Sequence, residues 1–129
     1  MMAVFRRADV EPGAHVRRQR LRRGRLSEAV AAAVLIAKGY RILGRRVKTR
    51  TGEIDIIAVR AKRLAFVEVK QRATHEDAEA AITARQAARI RRAADNWLAH
   101  RPRYHGHEQA FDVILLVPGR WPRHIRNGL

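Results

Sequence analysis

The stretch GEIDIIAVRAKRLAFVEVKQR, Gly52 to Arg72, constrains this chain more than any other. Its apolar residues read as two β-strands, and the short polar joint between them as a hairpin turn centred between Ala61 and Lys62. Strand residues of one parity share a face. Ile54, Ile56 and Ala58 then point one way, and Glu53, Asp55, Ile57 and Val59 the other. On the second strand Ala65, Val67 and Val69 oppose Leu64, Phe66, Glu68 and Lys70. Each strand has one apolar face and one that turns from apolar to charged along its length.

An even turn sets Val59 opposite Leu64 and Ile57 opposite Phe66; continued, it sets Asp55 opposite Glu68 and Glu53 opposite Lys70. Two carboxylates so placed have Cβ atoms about 5 Å apart and repel, the more so when buried. A shared proton or a divalent cation with oxygen ligands, Mg²⁺ or Mn²⁺, would offset the repulsion. Lys70, one strand step away, would then orient or deprotonate a bound water. Asp with Glu-x-Lys on the next strand is thus a complete device for metal-assisted hydrolysis. By alternation alone, the solvated end of an ordinary hairpin with Glu53 and Lys70 as an ion pair accounts for the same charges. An odd-length loop or a bulge would break the register.

The flanking sequence predicts the order α-β-β-β-α-β, an α/β or α+β fold with a mixed central sheet flanked by helices. A helix is expected over Leu26 to Lys38, with Ser27 as N-cap, Val30, Ala33, Val34 and Ala37 on one face, and Gly39 ending it. YRILGRRVKT follows as a strand weakened at Gly44, where a bulge fits. A longer helix is expected from Glu76 to His100, burying Ile82, Ile90, Ala93, Ala94, Trp97 and Leu98. Arg85, Arg89 and Arg92 share a different face of it. FDVILLV, Phe111 to Val117, is apolar almost throughout and reads as an internal strand. The domain is expected over 25–118. A flexible basic arm (1–24, broken at Glu11-Pro12-Gly13) would precede it and a basic tail (119–129) follow it.

The charge bears on the partner. Lys and Arg total 28 against 12 Asp and Glu, a net charge of +16, which points to a polyanion, and nucleic acid is the commonest. Only Lys38, Lys48, Lys62 and Lys70 are lysines, so the one inside an apolar strand is an unexpected choice in an arginine-using chain. Lysine, unlike arginine, can lose its proton under pressure from its surroundings. There is no cysteine, hence no disulfide and no thiolate metal site. No apolar run reaches the length of a membrane span and no secretory signal core is evident, so the expected compartment is the cytoplasm, with no membrane partner. The His105-Gly106-His107 cluster lacks a supporting acid or cysteine at ligand spacing and reads as a loop. Trp97 reads as helix core; Trp121 is open between a base-stacking role and an idle tail residue.

GEID followed by FVEVK resembles the signature of the PD-(D/E)XK nuclease superfamily and, more narrowly, the YraN-like bacterial family. In that family a helical Glu precedes a glycine-led GEID strand and an FVEVK-x-R strand; a second helix and a strand beginning FD follow. Here these are Glu28 in SEAVAAAVLIAKGY, Gly52 to Asp55, Phe66 to Arg72, and Phe111-Asp112. The resemblance spans roughly Leu26 to Val117. It implies a restriction-endonuclease-like core and Mg²⁺- or Mn²⁺-dependent hydrolysis of phosphodiester bonds. Asp55 and Glu68 would be metal ligands, with the Val69 carbonyl completing the coordination. Lys70 would position the water, Glu28 would add an acid from the first helix, and Glu53 would be ancillary. Arg72, with Arg85, Arg89 and Arg92, would contact nucleic acid. Relatives tend to carry Lys early in the second helix, where this chain has Arg85-Gln86, and often an Asn in the first strand. Likeness to Holliday-junction resolvases suggests DNA, branched or structured, and junction resolution would require a homodimer, which the sequence does not itself show. The rival reading is a non-catalytic nucleic-acid-binding protein that retains the fold.

Overall fold

The computed structural model describes residues 12–73 and 83–129, with the backbone alone for residues 12–24. Helix α1 (Pro12–Ala37) leads into β1 (Arg41–Thr49), β2 (Gly52–Arg60) and β3 (Arg63–Gln71). Helix α2 (Ala84–Ala99), a 3₁₀ turn (Pro102–Tyr104), β4 (Glu108–Leu116) and β5 (Arg123–Ile125) follow. The strands form one mixed sheet in the order β1-β2-β3-β4-β5. Among the described strands only β3 and β4 run parallel, and a parallel step requires a crossover, which contains α2. The fold is α+β and compatible with a restriction-endonuclease-like core.

Each helix covers one face of the sheet. Ala31 and Leu35 of α1 pack with Tyr40, Ile56, Ala58, Val67 and Ile114. Ile90 and Trp97 of α2 pack with Ile57, Leu64 and Phe66, and the Phe66 and Trp97 rings meet edge to face at 5.9 Å. The β2–β3 register is that of the even turn: Val59 opposes Leu64 and Ile57 opposes Phe66. The bulge near Gly44 also forms, between Ile42 and Gly44.

Several boundaries differ from expectation. Helix α1 begins at Pro12 rather than near Ser27, so residues 12–24 of the expected arm are helical. Proline favours the first helical position, where its missing N–H is not needed, and the arginines after it are good helix formers. Residues 1–11 lie outside the described residues. Ser27 is no N-cap but a buried mid-helix residue whose hydroxyl donates to the Gln71 side chain. The buried face of α1 carries Glu28, Ala31, Ala32 and Leu35, while Val30 is 44% exposed and Ala33 and Ala37 are exposed. An alanine-rich helix is apolar on almost every side, so periodicity alone cannot choose its face. The end of α1 does follow the sequence. Gly39 has φ +93°, with Tyr40 N–H donating to Leu35 and Gly39 N–H to Ile36, a Schellman turn.

Helix α2 starts at Ala84 and not at Glu76, because Thr83 is extended and its hydroxyl accepts the Gln86 N–H at 3.1 Å. Glu76 to Ile82 lie outside the described residues. Strand β4 begins at Glu108, earlier than Phe111, and the segment expected to be a tail supplies β5, whose His124 pairs with Ile114.

Asp112, fully buried within β4, binds these parts together. Its carboxylate takes two guanidinium N–H groups of Arg63 at 2.6 and 2.8 Å, the Asn127 N–H at 2.8 Å, and His124 Nε2 at 2.8 Å. Burial would raise its pKa, but the bonds from His124, Arg63 and Asn127 outweigh it and hold the carboxyl well below the usual range. Asp112→Ala, which leaves Arg63 buried without its carboxylate, is expected to cost about 3–5 kcal/mol in urea denaturation. A group with a depressed folded-state pKa stabilises above its unfolded value. The wild-type advantage is therefore full above about pH 4 and fades as the pH falls toward the folded-state value.

Candidate active site

The site lies where β2 parts from β3. Their ladder runs from the turn at Arg60/Arg63 to Ile56/Val67. One step further, the Asp55 side chain takes over, Oδ2 accepting the Val69 N–H at 2.8 Å. The other neighbour of β2 is irregular at the same level. Pairing with β1 passes from Arg45/Ile56 to Val47/Ile54 without a pair between Arg46 and Asp55, and Arg46 has φ +52°. A non-glycine residue in this left-handed region costs roughly 1–2 kcal/mol.

The break changes which side chains share a face. Ile54 packs with Ile57 and Val59 on the α2 side, whereas Ile56 and Ala58 pack on the α1 side. The expected grouping of Ile54 with Ile56 is therefore wrong, because strict alternation fails where the strand distorts around Asp55. The α1 side here carries Glu28, whose Oε1 is 3.4 Å from Arg46 Nε.

Four groups are thereby gathered: Glu28 from α1, Asp55 from β2, and Glu68 and Lys70 from β3. Lys70, 6% exposed, pairs with Glu68 through Nζ and Oε1 at 3.1 Å. Asp55 is pushed up to about 7, first by burial and then by the Glu68 charge, with Glu28 adding; the Val69 N–H and Lys70 oppose the rise. Burial also raises Glu28, against the lowering fields of Arg46 and Arg45. Glu53 is exposed, opposite Lys48 of β1, and acts on Glu28 as a further negative charge. The β2–β3 ladder ends before the expected register of Glu53 opposite Lys70, and Lys70 pairs with Glu68.

The donor set fits a hard divalent cation. All the available ligands are oxygens, and Glu28 Oε1 is buried without a hydrogen bond. Among the described residues no three acids or histidines form a ready-made cage.

The arginines expected to bind nucleic acid are exposed. Arg72 follows β3, and Arg85, Arg89 and Arg92 line the outer face of α2. A Cβ on Gly52 would come within 3.3 Å of Arg89 Cγ, so the glycine opening β2 lets α2 lie close to this end of the strand.

Comparison with known proteins places the chain. The model of "Uncharacterised protein family UPF0102" matches residues 27–116. The chain belongs to the UPF0102 family. A UPF0102 protein of Maricaulis maris is 50% identical over 110 residues, covering 85% of this chain and 87% of that one. One from Rhodopseudomonas palustris (strain BisB5) is 49% identical over 119 residues, covering 92% and 91%. One from Methylorubrum extorquens is 47% identical over 121 residues, covering 94% of each. The UPF0102 match contains Glu28, Asp55, Glu68 and Lys70 and stops before Trp121 and β5. Among the described residues no helix is long and apolar enough to cross a membrane.

Sequence reasoning missed two residues of this UPF0102 site. Arg46, the left-handed residue that faces Glu28, carried no signal beyond following Gly44 in an arginine pair. Ser27, expected as an N-cap, is instead buried within α1 and hydrogen-bonds Gln71.

A carboxyl raised above its unfolded value stabilises the fold at low pH and loses that contribution as pH rises through about 7. Asp55→Asn is therefore expected to stabilise the metal-free protein at pH 8, by on the order of 2–4 kcal/mol, and to lose that advantage below about pH 4. Thermal denaturation of both forms across this range checks it. Added Mg²⁺ should raise the wild-type melting temperature more at pH 8 than at pH 6, since binding must displace the Asp55 proton, and should leave Asp55→Asn unmoved.

Proposed function

We propose that this protein is a metal-dependent endonuclease that hydrolyses phosphodiester bonds in DNA, with branched or otherwise structured DNA as the preferred substrate. One observation carries the reading: where the sheet ladder is interrupted, Asp55 lies within the fields of Glu68, Glu28 and the buried Lys70, in a chain of net charge +16. A protein that only bound phosphates would gain nothing from acids there, because they repel the ligand.

Asp55 and Glu68 would hold Mg²⁺ or Mn²⁺, with the Val69 carbonyl beside them and Glu28 within reach through water. Bound there, the cation supplies Lewis acidity at the phosphoryl oxygen and makes a coordinated water more acidic. The chain's own residues do the rest. The Val69 N–H fixes the orientation of Asp55. Lys70, held by Glu68, presents an ammonium that can orient the attacking water and meet charge developing on the phosphate. Arg72 and the α2 arginines offer positive charge to the phosphates on either side. Two such sites in a homodimer would serve a four-way junction.

Metal-dependent cleavage of a panel of single-stranded, duplex, flap and four-way-junction DNA tests this directly. Wild type should cut at least one member with Mg²⁺ or Mn²⁺, and Lys70→Ala should lose the cutting by 10²-fold or more while still binding. Binding of every member without cleavage would favour the non-catalytic alternative. Equal cutting by Lys70→Ala would remove the lysine from the mechanism.

A further inference from the structure

Beside the carboxylates the surface changes character. Among the described residues the exposed large hydrophobic side chains are Leu26, Val30, Ile36 and Trp121. Three of these four line one open groove of about 510 Å³. Trp121 is 91% exposed, an arrangement that costs hydrophobic free energy unless something covers the ring.

The groove lies on the α1 side of the sheet, at the end of β3, where Ser27 and Gln71, hydrogen-bonded to each other, form part of its wall. Arg120 lines the same groove, and Arg123 joins it around Trp121 in the adjoining depression. A flat, solvent-facing indole with apolar side walls and two guanidinium groups beside it matches one ligand chemistry well. An aromatic base can stack on the ring while its phosphates meet the arginines. An apolar protein segment would use the walls but not the guanidinium of Arg120.

We propose that this groove seats an unpaired nucleobase of the bound strand, stacked on Trp121. The inference rests on the nucleic-acid reading above and deepens it. A base inside a duplex has both faces occupied and cannot enter, so the groove selects single-stranded, frayed or branch-point DNA.

Intrinsic fluorescence reads the contact directly, because the chain has two tryptophans and Trp97 is buried in the core. The titration is run in EDTA at fixed salt with a single-stranded oligonucleotide and a blunt duplex of the same sequence. The single strand should quench Trp121 emission and the duplex should not. Trp121→Ala should weaken single-strand binding about 5- to 150-fold with duplex binding unchanged, and Trp121→Phe should recover most of the loss. The salt dependence of binding should stay the same in Trp121→Ala and become shallower in Arg120→Gln. Wild-type affinity for the single strand in Trp121→Ala, or equal quenching by the duplex, would overturn the proposal. So would a change in emission with protein concentration alone, which would assign the groove to a second copy of the chain. Since EDTA prevents metal-dependent cleavage, stacking observed in a protein that never cuts DNA would support this inference and refute only the catalytic reading.

Discussion

The buried pair of Arg63 and Asp112 is the contact on which the rest of the sheet depends. Two opposite charges removed from water are costly unless nearly every lone pair and proton is matched. Here the guanidinium and carboxylate meet through two parallel hydrogen bonds, Tyr40 accepts a third from Arg63, and His124 and Asn127 satisfy the remaining carboxylate positions. One interaction thereby ties the first residue of β3 to the middle of β4, to β5 and to the turn that ends α1. From that anchor β3 and β4 remain paired without interruption from Arg63/Glu108 to Gln71/Leu116. The backbone that carries Glu68 and Lys70 is thus held by β4, and β2 is free to part from it on the other side.

That freedom is what makes a site. If β2 and β3 stayed in register past Ile56/Val67, Asp55 and Glu68 would sit as a simple cross-strand pair of like charges. Instead the ladder ends there, and one oxygen of Asp55 accepts the Val69 N–H. The compensating irregularity lies in β1, where Arg46 adopts a left-handed backbone and brings its guanidinium to Glu28. Strain of this kind survives only where surrounding contacts over-determine it. The well-paired stretches of β1 on either side of Arg46 and the buried Ile54 and Ile56 opposite supply them.

Much of this was legible in the sequence, because a two-residue period and a short even turn leave one register for the hairpin. The sheet partners, the α2 core from Ile90 to Leu98 and the Gly39 stop follow from equally local rules. The face and start of α1 were not legible. Ala29 to Ala33 offer no contrast for a hydrophobic face to be read from, and an arginine-rich segment looks the same to composition whether it is helical or not. Nor was β5, since RHI is short, polar and stabilised by His124 and Asn127 reaching a carboxylate in a distant strand. The regular register that sets Asp55 opposite Glu68 does not form, because the ladder ends at Ile56/Val67. The deciding distortion depends on Arg46 across the sheet, which no strand pattern encodes.

The placement of acids supplies the last step. Among the described residues the acids are Glu28, Glu53, Asp55, Glu68, Asp95, Glu108 and Asp112. Asp112 is neutralised internally, and four of the remaining six act on one another at the end of β2. In a chain with this excess of arginine, dispersing those acids among surface cations would have been easy and stabilising. Burial raises Asp55 and Glu28, neighbouring acids add to the rise, and negative charge there would weaken the grip on a polyanion. On the proposed function a divalent cation would remove both penalties, neutralising the acids and attracting a phosphate together. The rest of the surface can stay uniformly basic. A protein that only holds nucleic acid needs the basic surface alone; the acidic island has a physical purpose when a cation and a phosphate are brought to the same place.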